Sequence, residues 1–339
     1  MTTTHSPILL TPNQPAARPY LGGEGIACFR GLPFGGDDHT PEDFVGSTTA
    51  VHGSDSVGLT TLPDGTLLRD AIAADPVGFL GPEHVARFGA DPRLLVKLLS
   101  TGERLFVHAH PGDAFAQAVL HEPYGKTEAW IVVEGESDAW LGFTRDVPAA
   151  EVTEWFEKQD AATMLAAMHR IPLRSGDVLF VPAGLPHAIG PGLTLVELQQ
   201  PVDLSLILEY SGRPGLSAEN AFLGLTLDET LPALRTAALG TDELDALRGT
   251  LGDASAPIGR LFPTEADPFF AAALLQPAPT LQLSPGFAIL VVTNGTGALS
   301  WADGELALAR GATVLIPHGA GPVTLTGELT AIAAFPPRS

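Results

Sequence analysis

The chain spells one strand-and-turn pattern twice, and this repeat limits the folds that the sequence can adopt. The first copy, 176–187, reads Gly, five residues, Pro-x-Gly, two residues and His187. The second copy, 311–322, keeps the spacing but ends in Pro322. Each copy begins with a glycine, continues as a short apolar run and breaks at a proline, which predicts a strand followed by a tight turn. A chain that uses this unit twice is expected to contain two related β domains.

Other short apolar runs predict buried strands around both copies. These runs cover 94–99, 105–107, 129–133, 178–181, 287–292 and 314–316. Apolar residues at helical spacing predict helices over 66–88, 151–170 and 226–249, whereas 1–45 reads as loop. The prediction is a mainly β fold of two barrels with helical insertions.

A metal site is predicted from His108, His110, Glu128 and His187. In a strand, residues i and i+2 point to the same face, so the His-x-His pair aims two imidazoles into one space. Glu128 opens an apolar run, and His187 follows a Pro-x-Gly turn. A lone His-x-His pair is more often ordinary polar sequence, but the added carboxylate and third imidazole favour a metal centre. Three imidazoles and one carboxylate suit a divalent ion such as zinc, iron, manganese or nickel.

The composition limits which binding partners and which cellular compartment we expect for this protein. The formal net charge of -21 argues against a nucleic-acid partner. Cys28 is the sole cysteine of the sequence, which excludes an intrachain disulfide and suits a reducing compartment. Neither a signal peptide nor an apolar run of roughly 20 residues is recognisable, so we expect a cytoplasmic protein that does not enter a membrane. We expect a monomer or a homodimer.

Several stretches resemble the type I mannose-6-phosphate isomerase family. The repeated pattern is similar to the second sequence motif of the cupins, which are double-sheet jelly rolls. The specific likeness lies in Phe-Val-His-Ala-His-Pro-Gly-Asp at 106–113, Gly-Lys-Thr-Glu-Ala-Trp at 125–130, Pro-Ala-Gly-Leu-Pro-His-Ala at 182–188 and Glu-Leu-Gln-Gln-Pro-Val-Asp at 197–203.

The resemblance implies a cupin enzyme with one metal ion, most often zinc, that interconverts an aldose and a ketose through an enediol. It places His108, His110, Glu128 and His187 at the metal ligands, and it implies acid–base or substrate-binding roles for Lys126, Glu197 and Arg213. No organic cofactor is implied, and the partner is a sugar or sugar phosphate.

The order of the predicted elements divides the chain into four parts. Residues 1–93 form a partly helical segment that packs on the first barrel, and 94–215 form the metal-binding cupin domain with its insertion at 151–170. Residues 216–260 form a helical connection, and 261–339 form a second cupin domain. Because Pro322 has no donor atom and 287–301 contains no histidine, this second domain is expected to bind no metal.

The sequence departs from the family at three positions. His108 replaces a glutamine ligand, Phe106 replaces a serine, and Ile207 replaces an arginine. The last two changes remove groups that could hold a phosphate, so we expect mannose 6-phosphate to be a poor substrate. Two other functions stay open: a metallo-cupin with O₂-dependent chemistry, and a sugar-binding protein without turnover.

Overall fold

The computed structural model describes residues 5–253 and 256–338 of the chain. Its strands, labelled β1 to β19 in chain order, are Ile8–Leu9, Glu42–Val45, Leu95–Ser100, His108–Ala109, Glu128–Glu134, Glu136–Phe143, Met168–Arg174, Asp177–Val181, His187–Ile189, Thr194–Gln199, Leu206–Ile207, Arg248–Thr250, Ile258–Arg260, Ala271–Leu275, Thr280–Leu283, Ala288–Trp301, Gly304–Ala309, Thr313–Ile316 and Val323–Phe335. Its α-helices, α1 to α9, are Glu24–Arg30, Leu68–Ala74, Pro76–Leu80, Pro82–Phe88, Asp113–Phe115, Ala149–Lys158, Ala161–Ala166, Leu227–Thr230 and Thr241–Ala246.

The described strands form three sheets with antiparallel ladders. The first sheet has the order β12-β8-β5-β10-β3-β2, and the second sheet has the order β11-β4-β9-β6-β7. The C-terminal sheet has the order β1-β18-β16-β19-β14-β13, with β15 and β17 added on β19 and β16. The prediction of a mainly β fold is therefore confirmed, while the closure into two barrels and the four-part division stay predictions.

Both copies of the repeated pattern fold as a turn, a strand and a second turn. Gly176 and Gly311 have φ of 96° and 84°, a left-handed region that glycine enters without steric cost, and each glycine precedes its strand. The strands that follow are β8 in the first sheet and β18 in the C-terminal sheet. The sequence repeat thus corresponds to a repeated local structure.

Several local predictions need correction. The stretch 1–45 is not all loop, because burial of Ile26 and Phe29 holds helix α1, which ends at Gly31. The predicted helical insertion at 151–170 ends early, since β7 already begins at Met168. The predicted helix at 226–249 is broken into α8, a 3₁₀ turn and α9, and it runs into β12. The apolar run 105–107 is not a strand, because pairing in β4 begins at His108.

The N-terminal segment contacts two of the sheets. Strand β2 pairs with β3 in the first sheet, whereas β1 pairs with β18 in the C-terminal sheet. The buried Arg30 side chain joins the same two regions, since its Nε lies 2.6 Å from Asp43 and its guanidinium donates to Thr313 Oγ1 at 3.2 Å. None of the described helices has the length and apolar character that crossing a membrane requires.

Candidate metal and sugar site

Strand pairing brings the predicted site residues to one place between the first and second sheets. His108 of β4 and His187 of β9 are direct cross-strand partners in the second sheet, and Ile207 pairs with His108 from the other side. Glu128 opens β5 in the first sheet. Its carboxylate nevertheless reaches His110 Nε2 at 3.1 Å, so the two sheets meet at these side chains.

Each histidine is oriented by a hydrogen bond from its Nδ1 to a backbone carbonyl. His108 Nδ1 lies 2.9 Å from the oxygen of Phe106, His110 Nδ1 lies 2.7 Å from that of Leu204, and His187 Nδ1 lies 2.9 Å from that of Leu185. A carbonyl can only accept, so each Nδ1 carries the proton and each neutral ring has its lone pair on Nε2. This is how proteins fix the tautomer of metal-binding histidines.

The three imidazoles form a buried cluster that could hold a metal ion. One ligand atom from each of His108, His110 and His187 lies within 4.8 Å of the other two. Burial lowers the pKa of His108 well below its ordinary value, and the neighbouring rings add to this effect. Burial also lowers the pKa of His110 to about 4, with a further contribution from Lys126. Neutral imidazoles at physiological pH are the form that binds metals.

Glu128 completes the donor set. Its Oε1 lies 3.3 Å from His187 Nε2, and its Oε2 lies 3.1 Å from His110 Nε2. Burial alone would raise the pKa of this carboxyl, but the Lys126 ammonium overcomes that effect and holds the pKa well below its usual range. The carboxylate is therefore ionised while it faces two imidazoles.

The contacts between Glu128 and the imidazoles provide a test of whether a cation fits. With the Nδ1 protons bound to carbonyls, His110 and His187 turn lone pairs, not protons, toward a charged carboxylate. The Lys126 ammonium lies next to Glu128 Oε2 and His110 Nε2, but His187 Nε2 is buried without a hydrogen-bond partner among the described residues and faces Glu128 Oε1 at 3.3 Å. Buried acceptors that face one another are unfavourable unless a positive charge lies between them. The donor set therefore fits a divalent cation better than it fits a set of hydrogen bonds.

Trp130 links the donor set to the predicted acid–base residue Glu197. The buried indole N–H lies 3.1 Å from Glu128 Oε1 and 3.2 Å from Glu197 Oε1, so one donor serves two carboxyl groups. Trp130 and Glu197 are cross-strand partners in β5 and β10. Burial, together with the negative charge of Glu128, raises the pKa of Glu197 to about 7. Glu197 can thus exist in both protonation states near neutral pH, which suits a proton-transfer group.

Lys126 is held beside the cluster by a braced loop. Its Nζ lies 3.1 Å from Glu128 Oε2 and 3.2 Å from His110 Nε2. The Asp113 carboxylate fixes this loop, because its Oδ1 accepts hydrogen bonds from Gly125 N and from Gln200 Nε2, both at 2.7 Å. A side chain at Gly125 would meet the backbone of Pro111 at 2.4 Å, so the loop requires glycine there.

Arg213 lies apart from the cluster. Its guanidinium pairs with Glu103 and lies 3.7 Å from Glu209, and its Nη2 donates to the Arg104 carbonyl at 2.7 Å. Its neighbours Pro214 and Gly215 line the cavity, but Arg213 is not among the lining residues. The structure therefore places Lys126 and Glu197 together at the site and engages Arg213 in ion pairs outside it.

A cavity of about 360 Å³ opens onto His108, Lys126, Glu128 and Glu197. Four charged residues that we did not predict for the site form one ion-pair network at its edge. Lys97 Nζ lies 3.0 Å from Glu42 Oε1 and 3.1 Å from Asp203 Oδ1, and Arg18 pairs with the same two carboxylates, lying 3.2 Å from Asp203 Oδ2. The Lys97 side chain is only 1% exposed.

The carboxylate of Asp203 and the ammonium of Lys97 stay charged in this network although both side chains are largely buried. Burial would raise the pKa of Asp203, but Lys97 and Arg18 hold it well below its ordinary value. Burial would likewise lower the pKa of Lys97, but Asp203 and Glu42 raise it above its ordinary value. A lone lysine inside the apolar run 94–99 was the sequence signal for this network, since such a lysine needs a buried partner. Arg18 and Glu42 gave no comparable signal, because they lie in a stretch that read as loop.

Comparison with known proteins shows which proteins the chain resembles. The profile described as "Mannose-6-phosphate isomerase, cupin domain" matches residues 262–336. The Bacillus subtilis protein named mannose-6-phosphate isomerase ManA is 24% identical over 251 residues, which is 71% of this chain and 74% of that protein. Over most of its length the chain is therefore similar to a mannose-6-phosphate isomerase. The Streptococcus mutans protein named mannose-6-phosphate isomerase is 32% identical over 139 residues, 38% of this chain and 41% of the relative's length.

Solved structures of family members share the fold over nearly the whole chain. The mannose 6-phosphate isomerase of Bacillus subtilis aligns with a TM-score of 0.76 at 22% identity, covering 97% of this chain and 99% of that one. A mannose 6-phosphate isomerase bound with zinc and yttrium aligns with a TM-score of 0.75 at 16% identity, covering 98% of this chain and 100% of that one. At these identities the likeness establishes the fold.

Proposed function

We propose that this protein is a metal-dependent isomerase that interconverts an aldose and a ketose by proton transfer through an enediol. The observation that carries the proposal is the donor set itself: three Nε2 lone pairs and the Glu128 carboxylate converge next to Lys126 and Glu197, in a cavity of about 360 Å³. The names of the relatives in Bacillus subtilis and Streptococcus mutans support the isomerase class.

We propose His108, His110, Glu128 and His187 as the ligands of one divalent ion, with zinc as the first candidate. The zinc in a structure of the same fold supports this choice. When bound, the ion would supply positive charge that polarises the oxygens of the sugar. In this proposal residues 94–215 carry the site, and 261–339 form a domain without metal.

The proton chemistry is assigned to Glu197 and Lys126. As a carboxylate, Glu197 takes the proton from C2 of the aldose, and the electron pair of that C–H bond forms the C1–C2 double bond of the enediol. As the C1–C2 double bond forms, the C1=O electron pair moves onto O1, and O1 takes up a proton. Return of the Glu197 proton to C1, with loss of the O2 proton and formation of the C2=O bond, gives the ketose, so the carboxyl group and the total number of protons end as they began. The Lys126 ammonium, aimed into the same cavity, stabilises the negative charge that develops on the sugar oxygens. Trp130 holds the Glu197 carboxyl in place.

The test combines metal analysis with isotope exchange. Protein loaded with zinc is incubated in D₂O with mannose, glucose, fructose and their 6-phosphates, and NMR follows both interconversion and deuterium at C1 and C2. We expect about one metal ion per chain and solvent deuterium in the product. Glu197→Gln, which keeps shape and burial, is expected to bind metal but to abolish exchange.

Two outcomes would overturn the proposal. Binding of sugar and metal without any exchange of a C–H proton would identify a sugar-binding protein without turnover. Oxygen consumption with iron or manganese, and no isomerisation with zinc, would identify the O₂-dependent chemistry that a three-histidine, one-carboxylate set also supports.

A further inference from the structure

Among the described residues, each lysine and arginine that lines the cavity is engaged in an ion pair. The cavity's cationic lining in the described residues consists of Arg18 and Lys126, apart from the imidazoles of His52 and His108. Arg18 pairs with Glu42 and Asp203, and Lys126 pairs with Glu128. The remaining Glu197 adds a further carboxyl to the lining. A phosphate dianion that entered would have to compete with these carboxylates for every positive charge, and protein sites bind phosphate through charge-assisted hydrogen bonds.

Two residues with neutral hydroxyl groups line the same cavity. Tyr20 is only 4% exposed, yet no hydrogen bond engages its hydroxyl among residues 5–253 and 256–338. The hydroxyl of Ser205 is likewise without a protein partner in the described chain and lines the cavity. Neutral hydroxyls and carboxylate oxygens are the groups that bind sugar hydroxyls, because a sugar O–H can donate to a carboxylate and accept from Tyr or Ser.

The wall beside the donor set is apolar. Ile207 is the cross-strand neighbour of His108, and Phe106 lies in edge contact with the His108 ring at a centroid distance of 5.0 Å. Both line the cavity, together with Leu216 and Leu223 on the chain that follows. None of these side chains can donate a hydrogen bond to a phosphate oxygen.

We propose that the substrate is an uncharged sugar and that Ile207 is a residue that determines this specificity. The inference rests on the proposed isomerase function and names the substrate class of the same site. The paired charges at the cavity edge act as hydrogen-bonding groups for hydroxyls, while their mutual neutralisation removes the attraction that a phosphate ester needs. Ile207 keeps the wall next to the metal donors free of positive charge.

The test compares mannose with mannose 6-phosphate on one zinc-loaded preparation at pH 8, where an imidazole of ordinary basicity carries no charge. We expect kcat/KM for the uncharged sugar to exceed that for the phosphate ester by at least about tenfold. A preference for the phosphate ester would overturn the inference and leave the isomerase proposal intact.

If neither sugar is turned over, the isomerase proposal fails, and binding decides the specificity separately. Isothermal calorimetry with the two sugars on the metal-loaded protein is expected to give tighter binding of mannose. Tighter binding of mannose 6-phosphate would overturn the inference independently of turnover.

Substitution at Ile207 tests the residue itself. Ile207→Arg adds an uncommitted guanidinium, and it is expected to shift the ratio of the two kcat/KM values toward the phosphate ester by about ten- to a hundredfold. Ile207→Gln is the matched control, because it adds length and polarity without charge, and it is expected to move the ratio less than about threefold. An equal shift in both variants would refute the role of charge.

A second position covers the case in which Ile207→Arg does not fold, as judged by circular dichroism and metal content. Leu216 lines the same cavity and is half-buried, so Leu216→Arg is easier to accommodate. It is expected to shift the ratio in the same direction, and Leu216→Gln is its control. If the folded arginine variant shows no shift beyond that of its glutamine control, the proposal is wrong.

Discussion

The two copies of the repeated pattern share a backbone and differ in what surrounds them. Near the first copy the interior contains Lys97, Glu128, Glu197 and three histidines, all buried. Among the described residues from 256 to 338, Thr313 is the one polar residue that is buried. The strands there enclose a separate apolar cluster that includes Leu290 and Leu325. A β framework of this kind does not specify a site; the side chains placed on its inward face do.

The two interiors also differ in how they contribute to the free energy of folding. Buried charges are costly unless each is paired and hydrogen-bonded, whereas an apolar interior gains stability from every buried side chain. The first region retains a network of Arg18, Glu42, Lys97 and Asp203 that a purely structural sheet would not need. The C-terminal sheet has no such buried ion-pair network among its described residues, and its side chains pack as an ordinary apolar core. Four experiments sharpen this comparison, beginning with the largest expected effect.

Removal of His187 is expected to abolish the function of the first region. His187→Ala deletes one proposed ligand, and changes at residues that merely support metal ligands already cost about 10–100-fold in affinity. We expect loss of most bound zinc and a fall in kcat of at least about a thousandfold, equivalent to ~4 kcal/mol. Atomic absorption and the isomerase assay measure the two effects. Full metal stoichiometry in folded His187→Ala would refute the ligand assignment.

Breaking the ion-pair network is expected to destabilise the fold. Lys97→Met leaves Glu42 and Asp203 with Arg18 as their remaining partner, so we expect a loss of about 3 kcal/mol, at the lower end of values for a buried ion pair. Urea denaturation at pH 8 and at pH 5 measures it.

The pH dependence of this loss follows from the pKa shifts. In the wild type the pKa of Asp203 is lowered and that of Lys97 is raised. Their contribution is therefore complete between about pH 4 and pH 10, the ordinary values of the two groups. Without Lys97, burial raises the carboxyl pKa, and the folded state gains protons as the pH falls. The loss should thus be smaller at pH 5 than at pH 8, and an equal loss would contradict this account.

Two of the four tryptophans, Trp130 and Trp301, offer a matched pair. Trp130→Phe removes the N–H that Glu128 and Glu197 share, and a hydrogen bond to a charged group contributes about 1.5–3 kcal/mol. We expect kcat to fall by roughly ten- to a hundredfold and the metal affinity to decline. Trp301 of β16 has a buried Nε1 without a partner in the described chain, so Trp301→Phe removes no hydrogen bond. Equal kinetic effects in the two variants would show that the Trp130 N–H is not important.

The smallest effect is expected at the second copy of the pattern. Pro322→His gives 311–322 the histidine spelling of the first copy, but among the described residues from 256 to 338 neither a histidine nor a carboxylate is buried, and His318 is partly exposed. A zinc site needs three or four converging protein ligands, and the variant does not supply such a set. We expect the zinc content to stay at about one per chain and the activity to change less than about twofold. A second equivalent of metal in this variant would refute the comparison.

Much of the site was predictable because its residues lie in short local patterns. The His-x-His pair, Lys-Thr-Glu at 126–128 and His187 after its turn each follow from a strand or a turn, and β pairing of consecutive patterns brings them together. Arg213 shows the limit of this reasoning. Its position in the sequence suggested a role at the site, but its guanidinium is engaged by Glu103 and Glu209, and no local pattern contains that information.

The sequence by itself determined the mainly β class, the repeated strand-and-turn unit, and the identity of the residues able to bind a metal. These follow from periodicity, turn chemistry and donor atoms, which are properties of neighbouring residues. Only the tertiary structure decided that Arg18 and Glu42 reach Lys97 and Asp203, and that Trp130 bridges two carboxyl groups. Such contacts join segments far apart in the chain, and their strength depends on burial, which removes water from the charges and makes each partner indispensable.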